Sequence, residues 1–475
     1  MLEQGLLEGD QTAQTQQTQG EPRDARRHGY VPPPRRQEWY HAAAILVAEL
    51  VGTGVLALPH TFAVIGVAAG VAVLLVFALL SLYSGILLHR LQSWYPQGIT
   101  YGDMAHQVIG VRGRQIVFGF IYVAFFGNLA IYVLTCAEAL QSAFYGLRWC
   151  KWWYTVVTII FLLPFCQLRT LHNVSYAAAA SAVAIFVALA IILVVTFADQ
   201  SPQDQFSSSL DLVDFPDLPI GGLDASTAAA DLSASPSKPT FFRFMSAMTT
   251  AIFAFGGQGL YFETMAEMRQ PSDFPRAVTL TTVGILAVYL LVALSCVSVY
   301  GDKIDGSVLY ALPDGPAKSV AALLLFFHVS ISYVLAQQVI GRAIHVRWKP
   351  HHVDRASTSE RGQWFCISVS LLLMSFLIAN GIPFFSHLMG VVAAVSTAPL
   401  TFGIPAIMVY VASHTMPKPA NGEAPYIRRW EYPVLVFLVI LTVYLVSAGL
   451  ASNIHELVEK WSSVGKPFDC HLPKR

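Results

Sequence analysis

Five ionisable residues stand inside long apolar stretches of this chain: Glu49, Glu138, Glu263, His328 and His387. A charge in hydrocarbon is costly and is kept where it pairs, relays a proton or lines a wet path. Two glycine clusters accompany them. Gly52 and Gly54, with Pro59 behind, interrupt HAAAILVAELVGTGVLALPHTFAVIG at 41–66; Gly256, Gly257 and Gly259 interrupt FFRFMSAMTTAIFAFGGQGLYFETMAEM at 241–268. Inside a helix each glycine costs about 1 kcal/mol against alanine, and proline about 3. Both stretches are therefore expected to unwind. Unwound backbone at membrane depth is tolerated only where it is buried in protein or lines a cavity. A half-helix N-terminus offers N–H groups to a carboxylate, and a half-helix C-terminus offers carbonyls to an ammonium or metal ion. A zwitterion fits such a pair, and a free amino acid is its smallest common form.

The elements that position these residues follow from composition. The chain has 475 residues, 55% hydrophobic and only 12% charged, with mean hydropathy +0.54. Soluble proteins carry roughly 25% charged residues. Equal numbers of Lys+Arg and Asp+Glu, 29 each, supply no basic field for nucleic acid. A spanning helix needs roughly 20 apolar residues. Eleven blocks qualify, at about 41–64, 67–91, 115–145, 153–170, 173–198, 241–264, 276–300, 317–343, 363–380, 383–412 and 431–453. Breaks in the first and sixth blocks mark two corresponding halves, 1–5 and 6–10, each opening with a broken helix. That placement points to inverted repeats around a transporter site. The expected fold is an all-α integral membrane protein with a five-plus-five inverted repeat and one extra C-terminal helix.

With residues 1–40 in the cytosol, 19 of the 29 Lys/Arg fall on cytosolic loops, as the positive-inside rule requires. The C-terminal tail, 454–475, then lies on the opposite side, as does the long loop 199–240 with its seven Asp against Lys238. Residues 1–40 lack an apolar stretch and read as a disordered tail rather than a signal peptide. Asn173-Val174-Ser175 falls on the cytosolic side, so no N-glycan is expected there. The six cysteines show no C-x-x-C spacing. Sidedness alone allows Cys150 to pair with Cys470. Plasma membrane and vacuolar or lysosomal membrane fit the orientation equally.

A dinucleotide fingerprint also matches, as Gly52-x-Gly54-x-x-Ala57. It needs an acidic residue about 20 positions on for the ribose, and residues 60–90 contain no Asp or Glu. No nucleophile–base pair or metal spacing appears in the blocks, so an enzyme and a resident cofactor are not expected.

GTGVLALPHTFAVIG (52–66) resembles the first-helix signature of the amino acid/auxin permease family. FAFGGQGLYFETMAEMRQPSDFPRAV (253–278) resembles its sixth-helix signature, and the likeness covers about 40–453. The resemblance implies a fold similar to LeuT-type transporters and movement of amino acids, or auxin in a plant branch, often with protons. Gln258 stands where His is common in that family, and Phe262 where Pro precedes the Glu. Gln cannot carry a proton, which puts coupling at that position in doubt.

The substrate is expected between spans 1, 3, 6, 8 and 10, against Gly52, Thr53, Gly54, Val55 and Leu56 and against Phe255, Gly256, Gly257, Gln258 and Gly259. Asn128 and Tyr132, four apart, share a helix face toward it, with Ser330 nearby; Ser332 and Tyr333 offer further hydroxyls. Helix–helix hydrogen bonding is the commoner use of such residues. Glu49, one turn before the first break, is the leading proton-coupling carboxylate, with a structural carboxylate as the bland reading. Glu263 and Glu267 are expected to cap or to pair with Arg269 or Arg276, a pair that could gate. Glu138 and His328 are coupling candidates whose ordinary reading is structural. His345, His351 and His352 lie in a basic loop that suits anionic lipid better than metal. The function read from these residues is a monomeric secondary active amino acid transporter, proton-coupled before sodium-coupled. An amino-acid-sensing receptor on the same fold is the alternative.

Overall fold

The computed structural model describes residues 35, 37–147, 149–167, 175–198, 240–304, 306–348, 358–382, 384–416, 427–464, 468 and 470. Among them the secondary structure is helical, and the single β feature is an isolated bridge between Gln37 and Met268. Of the expected loop 199–240 only residue 240 is described; residues 1–34 and 36 of the expected tail, the Asn173 sequon and His351 and His352 lie outside the described residues.

The first block forms two helices, α1 (Trp39–Leu50) and α2 (Thr53–Ile65), bent by 59°. Gly66, at φ 85°, then allows the abrupt turn into α3 (Val67–Trp94), a conformation that suits glycine. Next come α4 (Tyr101–Ile109), capped by the Thr100 hydroxyl, α5 (Val111–Ala143), α6 (Lys151–Phe165) and α7 (Ser175–Ala198). The sixth block is α8 (Phe241–Phe253), a 3-10 turn at Gln258–Leu260, and α9 (Tyr261–Glu267). Beyond it run α10 (Phe274–Tyr300), the short α11 (Val308–Ala311), α12 (Pro316–Trp348) and α13 (Thr358–Gly381). The tenth block is α14 (Phe385–Val392), two π-helical turns and α15 (Ile404–Thr415). The last is α16 (Glu431–Tyr444), a π turn and α17 (Leu450–Val464).

Eight of these helices are long and apolar enough to cross a membrane, and the bent α1–α2 pair makes nine. The expectation of eleven differs for a physical reason. α6 has 15 residues, and the sixth block divides into helices of 13 and 7, all below the length a straight span requires. The C-terminal helix also runs past the expected boundary at 453, to Val464.

The first break is narrower than expected. It is confined to Val51–Gly52, while Gly54 and Pro59 sit inside α2. Packed neighbours let such residues stay helical in lipid, where the backbone has nothing else to bond. In the tenth block the π turns span Ala393–Thr397 and Pro399–Gly403. Proline removes a donor from the ladder, and a π turn loosens it. The Leu400 carbonyl accepts from the Tyr101 hydroxyl at 2.8 Å, and the Thr401 carbonyl accepts from Ser84. α3 and α4 are thereby tied to the tenth block.

Cys150, before α6, and Cys470, beyond α17, form a disulfide with their Cα atoms 4.9 Å apart. Cys136, Cys166 and Cys296 are buried free thiols, and Cys366 is exposed. Peptide mapping of the native protein, alkylated without reductant, should recover Cys150 joined to Cys470 and Cys366 alkylated. Alkylation of both Cys150 and Cys470 before reduction would contradict the pairing.

Candidate functional site

The two broken blocks meet at their breaks. Gly54 in α2 faces Ala254, just after α8, so closely that a Cβ on Gly54 would stand 2.9 Å from the Ala254 Cα. Gly257 faces Leu50, where a Cβ would stand 2.8 Å from Leu50 Cδ2, and Gly256 faces Thr397 more tightly still. Gly54 is thus required by close approach, and Gly256 and Gly257 by close approach as well as by unwinding.

Tyr289 on α10 joins the two breaks. Its hydroxyl lies 2.8 Å from the Leu50 carbonyl and 2.7 Å from the Ala254 carbonyl. A phenol has one proton to donate, so the two carbonyls share it. Both belong to helix C-termini left open by the breaks, where an unsatisfied carbonyl in lipid would cost several kcal/mol. The remaining break backbone bonds locally: Val51 N–H to Val47, Gly52 N–H to Leu50, Phe255 N–H to Ile252, Gly256 N–H to Phe253 and Gly257 N–H to Phe255. The first-turn N–H groups of α2, from Thr53 onward, have no intrahelical acceptor. A helix C-terminus and a helix N-terminus therefore face each other across Gly52, which suits the two ends of a zwitterion.

Of the expected substrate residues, Thr53, Gly54, Val55, Leu56, Phe255, Gly257 and Gln258 are buried at this junction, whereas Gly256 is exposed. Gln258 uses both ends of its amide. It donates to the Ser81 hydroxyl at 2.7 Å and accepts from the Thr401 hydroxyl at 2.9 Å. Its side chain thus ties the sixth break to α3 and the tenth block. Asn128 and Tyr132 are half-buried on α5, and the Asn128 Oδ1 is buried with no hydrogen-bond partner. Glu49 is exposed on α1, in the turn before the first break.

Other candidates are placed elsewhere. Ser330 lies 3.7 Å from the Cys136 thiol, Ser332 donates back to the His328 carbonyl, and Tyr333 lies 3.4 Å from Ser375. The Ser330 and Tyr333 hydroxyls join helices, and the Ser332 bond stays within α12. Glu138 forms a 2.7 Å ion pair with Lys151 and is 2% exposed. His387 lies 3.3 Å from the Ser246 hydroxyl, which also donates to Asn453. His345 contacts Gln363.

The expected ion pairs of Glu263 and Glu267 are replaced by others. Arg269 pairs with Glu38 and Arg276 with Asp273, while Glu267 accepts from Gln37. The Glu263 Oε2 is buried without a partner. The reason is the strand-like approach of residue 37. The Gln37 N–H donates to the Glu267 carbonyl, and the Gln37 carbonyl accepts from the Arg269 N–H at 2.8 Å, so the chain before α1 occupies the partners around α9. Sequence reasoning missed Tyr289, Ser81 and Thr401. A lone Tyr in the aliphatic run VGILAVYLLVAL was the available signal for Tyr289.

A family model described as "Transmembrane amino acid transporter protein" matches residues 35–451. The chain is similar to the "N amino acid transport system protein" of Neurospora crassa, at 22% identity over 463 residues, covering 92% of this chain and 88% of that one. It is also similar to the "Amino acid transporter AVT6E" of Arabidopsis thaliana, at 22% over 440 residues, covering 89% and 84%. To "Amino acid transporter ANT1" of the same plant it is 22% identical over 426 residues, covering 86% and 90%. These are transporters, not enzymes.

The junction predicts a contrast between glycines. Gly54→Ala should lower the unfolding free energy of the detergent-solubilised protein by about 1–3 kcal/mol through overpacking. Gly259→Ala, where a Cβ meets nothing within 4 Å, should leave it within about 0.5 kcal/mol. Tyr289→Phe should cost about 1–3 kcal/mol, because it strands the Ala254 carbonyl and leaves the Leu50 carbonyl only the Gly52 N–H. Thermal or denaturant unfolding of the three variants checks these values.

Proposed function

Because the chain belongs to the amino acid/auxin permease family of transmembrane amino acid transporters, we propose that it carries amino acids across a membrane, bound between its two helix breaks. The observation that carries this reading is the shared Tyr289 hydroxyl, which holds the C-termini of α1 and α8 side by side. The α2 N-terminus faces the ligand carboxylate, and the last-turn carbonyls of α1 and α8 face its ammonium. Gly52, Thr53, Gly54, Val55 and Leu56, with Phe255, Gly256, Gly257 and Gly259, line the seat. Asn128 and Tyr132 border it from α5.

In this reading the fold is LeuT-type. α6 and the α8–α9 pair complete eleven spans, and blocks 1–5 and 6–10 form the inverted repeat. Alternating access rocks the first and sixth blocks together. Three connections support their moving as one body: the Tyr289 bridge, the bonds between residues 37 and 267–269, and the Arg269–Glu38 ion pair. The N-terminus is cytosolic, and the membrane is the plasma membrane or that of a vacuole or lysosome. Glu49 takes the coupling proton, since it is exposed on the element that moves.

The test is labelled amino acid counter-flow into liposomes holding the purified protein, with and without an imposed proton or sodium gradient. Saturable exchange, with accumulation under an inward proton gradient, is expected. Glu49→Gln should keep exchange and lose proton-driven accumulation. Saturable binding without flux under any gradient would replace transport by sensing. Accumulation driven by sodium alone would remove Glu49 from the coupling role.

A further inference from the structure

His328 on α12 is buried, and its two ring nitrogens have different surroundings. Nδ1 lies 3.0 Å from the Ser181 carbonyl and 2.9 Å from the Ser181 hydroxyl. That hydroxyl donates to the His328 carbonyl at 3.3 Å. A carbonyl can only accept, so Nδ1 carries the proton, and neutral imidazole keeps its lone pair on Nε2. Ser181 thereby sets the tautomer, as a second hydrogen bond does for any working histidine.

The lone pair is aimed at the first break. The place where Gly52 would carry a Cβ is 3.6 Å from His328 Nε2 and 3.9 Å from the Glu49 carbonyl oxygen. No other heavy atom beyond the chain neighbours of Gly52 comes within 4 Å of it. Two acceptors therefore border one small space that only glycine leaves open. One is the Nε2 lone pair, and the other is a carbonyl in the last turn of α1. A group that supplies N–H donors and positive charge matches them. A hard metal ion such as sodium prefers oxygen ligands throughout, which makes an imidazole nitrogen a poor member of its shell.

We propose that His328 is a specificity-determining contact of the transported amino acid, its Nε2 accepting a hydrogen bond from the ligand's α-ammonium at Gly52. The proposal rests on the reading of the two breaks as an amino acid site. It adds a third element, α12, to the ligand's surroundings and distinguishes an amino acid from a carboxylic acid of the same shape. The elements around it carry titratable groups: Arg112, Arg114, Tyr122, Tyr132, Cys136 and Glu138 on α5, Lys151 and Tyr154 on α6, Tyr176 on α7, Glu360, Arg361 and Cys366 on α13, and Glu49 on α1. Acid that protonates Nε2 turns the acceptor into a donor and sets like charge against the ammonium. Apparent affinity for amino acids should then fall in acid, while that for a des-amino analogue should not.

The experiment measures inhibition of labelled amino acid exchange in liposomes by the unlabelled amino acid and by its des-amino analogue. It compares wild type with His328→Leu, His328→Gln and Gly52→Ala. His328→Leu should weaken the amino acid about tenfold or more, the loss of one hydrogen bond to a charged group, and leave the analogue unchanged. His328→Gln keeps an amide oxygen and should recover part of that loss. Gly52→Ala fills the space beside Nε2 with a methyl and should lose the same discrimination, so it decides the matter where His328→Leu does not reach the membrane. Equal weakening of both inhibitors, or of neither, in His328→Leu and Gly52→Ala overturns the proposal and leaves the transport reading standing. Wild-type protein that binds no amino acid overturns both.

Discussion

A helix broken inside a membrane leaves carbonyls that lipid cannot satisfy, and much of this molecule is arranged around that constraint. The Tyr289 hydroxyl answers it for both breaks at once, by standing between the Leu50 and Ala254 carbonyls. Without it, the Ala254 carbonyl would face an apolar interior unpaired, at a cost of several kcal/mol, and the Leu50 carbonyl would keep only the Gly52 N–H. With it, the two broken helices are held in one register, and the ends they present are fixed relative to each other. A transport site needs that property, because ligand groups must meet backbone atoms from two separate segments.

The rest of the packing permits or reinforces this contact. Gly54 and Gly257 remove the side chains that would keep the first and sixth blocks apart. Gln258 ties the sixth break outward, to Ser81 and Thr401. Thr401 stands in a π turn next to Pro399, where the loosened ladder leaves carbonyls for Ser84 and Tyr101. A Gln fully engaged on both sides holds its neighbours without titrating. Proton traffic, where it occurs, must therefore use other groups near the breaks.

The apolar blocks and the two breaks were legible in the sequence because they depend on composition and on glycine, whose costs are local. Cys150 and Cys470 could be matched by sidedness, though nothing local marked them as partners. The exact break was less legible. Gly54 and Pro59 read as helix breakers, yet they remain helical because neighbouring helices fill the space around them. The ion pairs of α9 were misassigned, because Gln37 and Glu38 come from more than 200 residues away. Partners so distant leave no periodic trace. Ser330 was read as a ligand contact from its depth, but its direction, toward Cys136, is set by helix rotation. Tyr289, Ser81 and Thr401 were invisible for a related reason: each is an ordinary residue until the carbonyl or amide it serves is brought beside it.

The central claim is that an amino acid binds between the two breaks. It is tested most directly by an experimental structure of the protein with a transported amino acid bound, by cryo-electron microscopy or crystallography. The account predicts ligand density spanning residues 52–56 and 255–259, its carboxylate at the α2 N-terminus and its ammonium toward the last-turn carbonyls of α1 and α8. Density elsewhere, for example in the hollow of about 660 Å³ lined by Phe242, His455 and Glu459, with the breaks closed against each other, would contradict it.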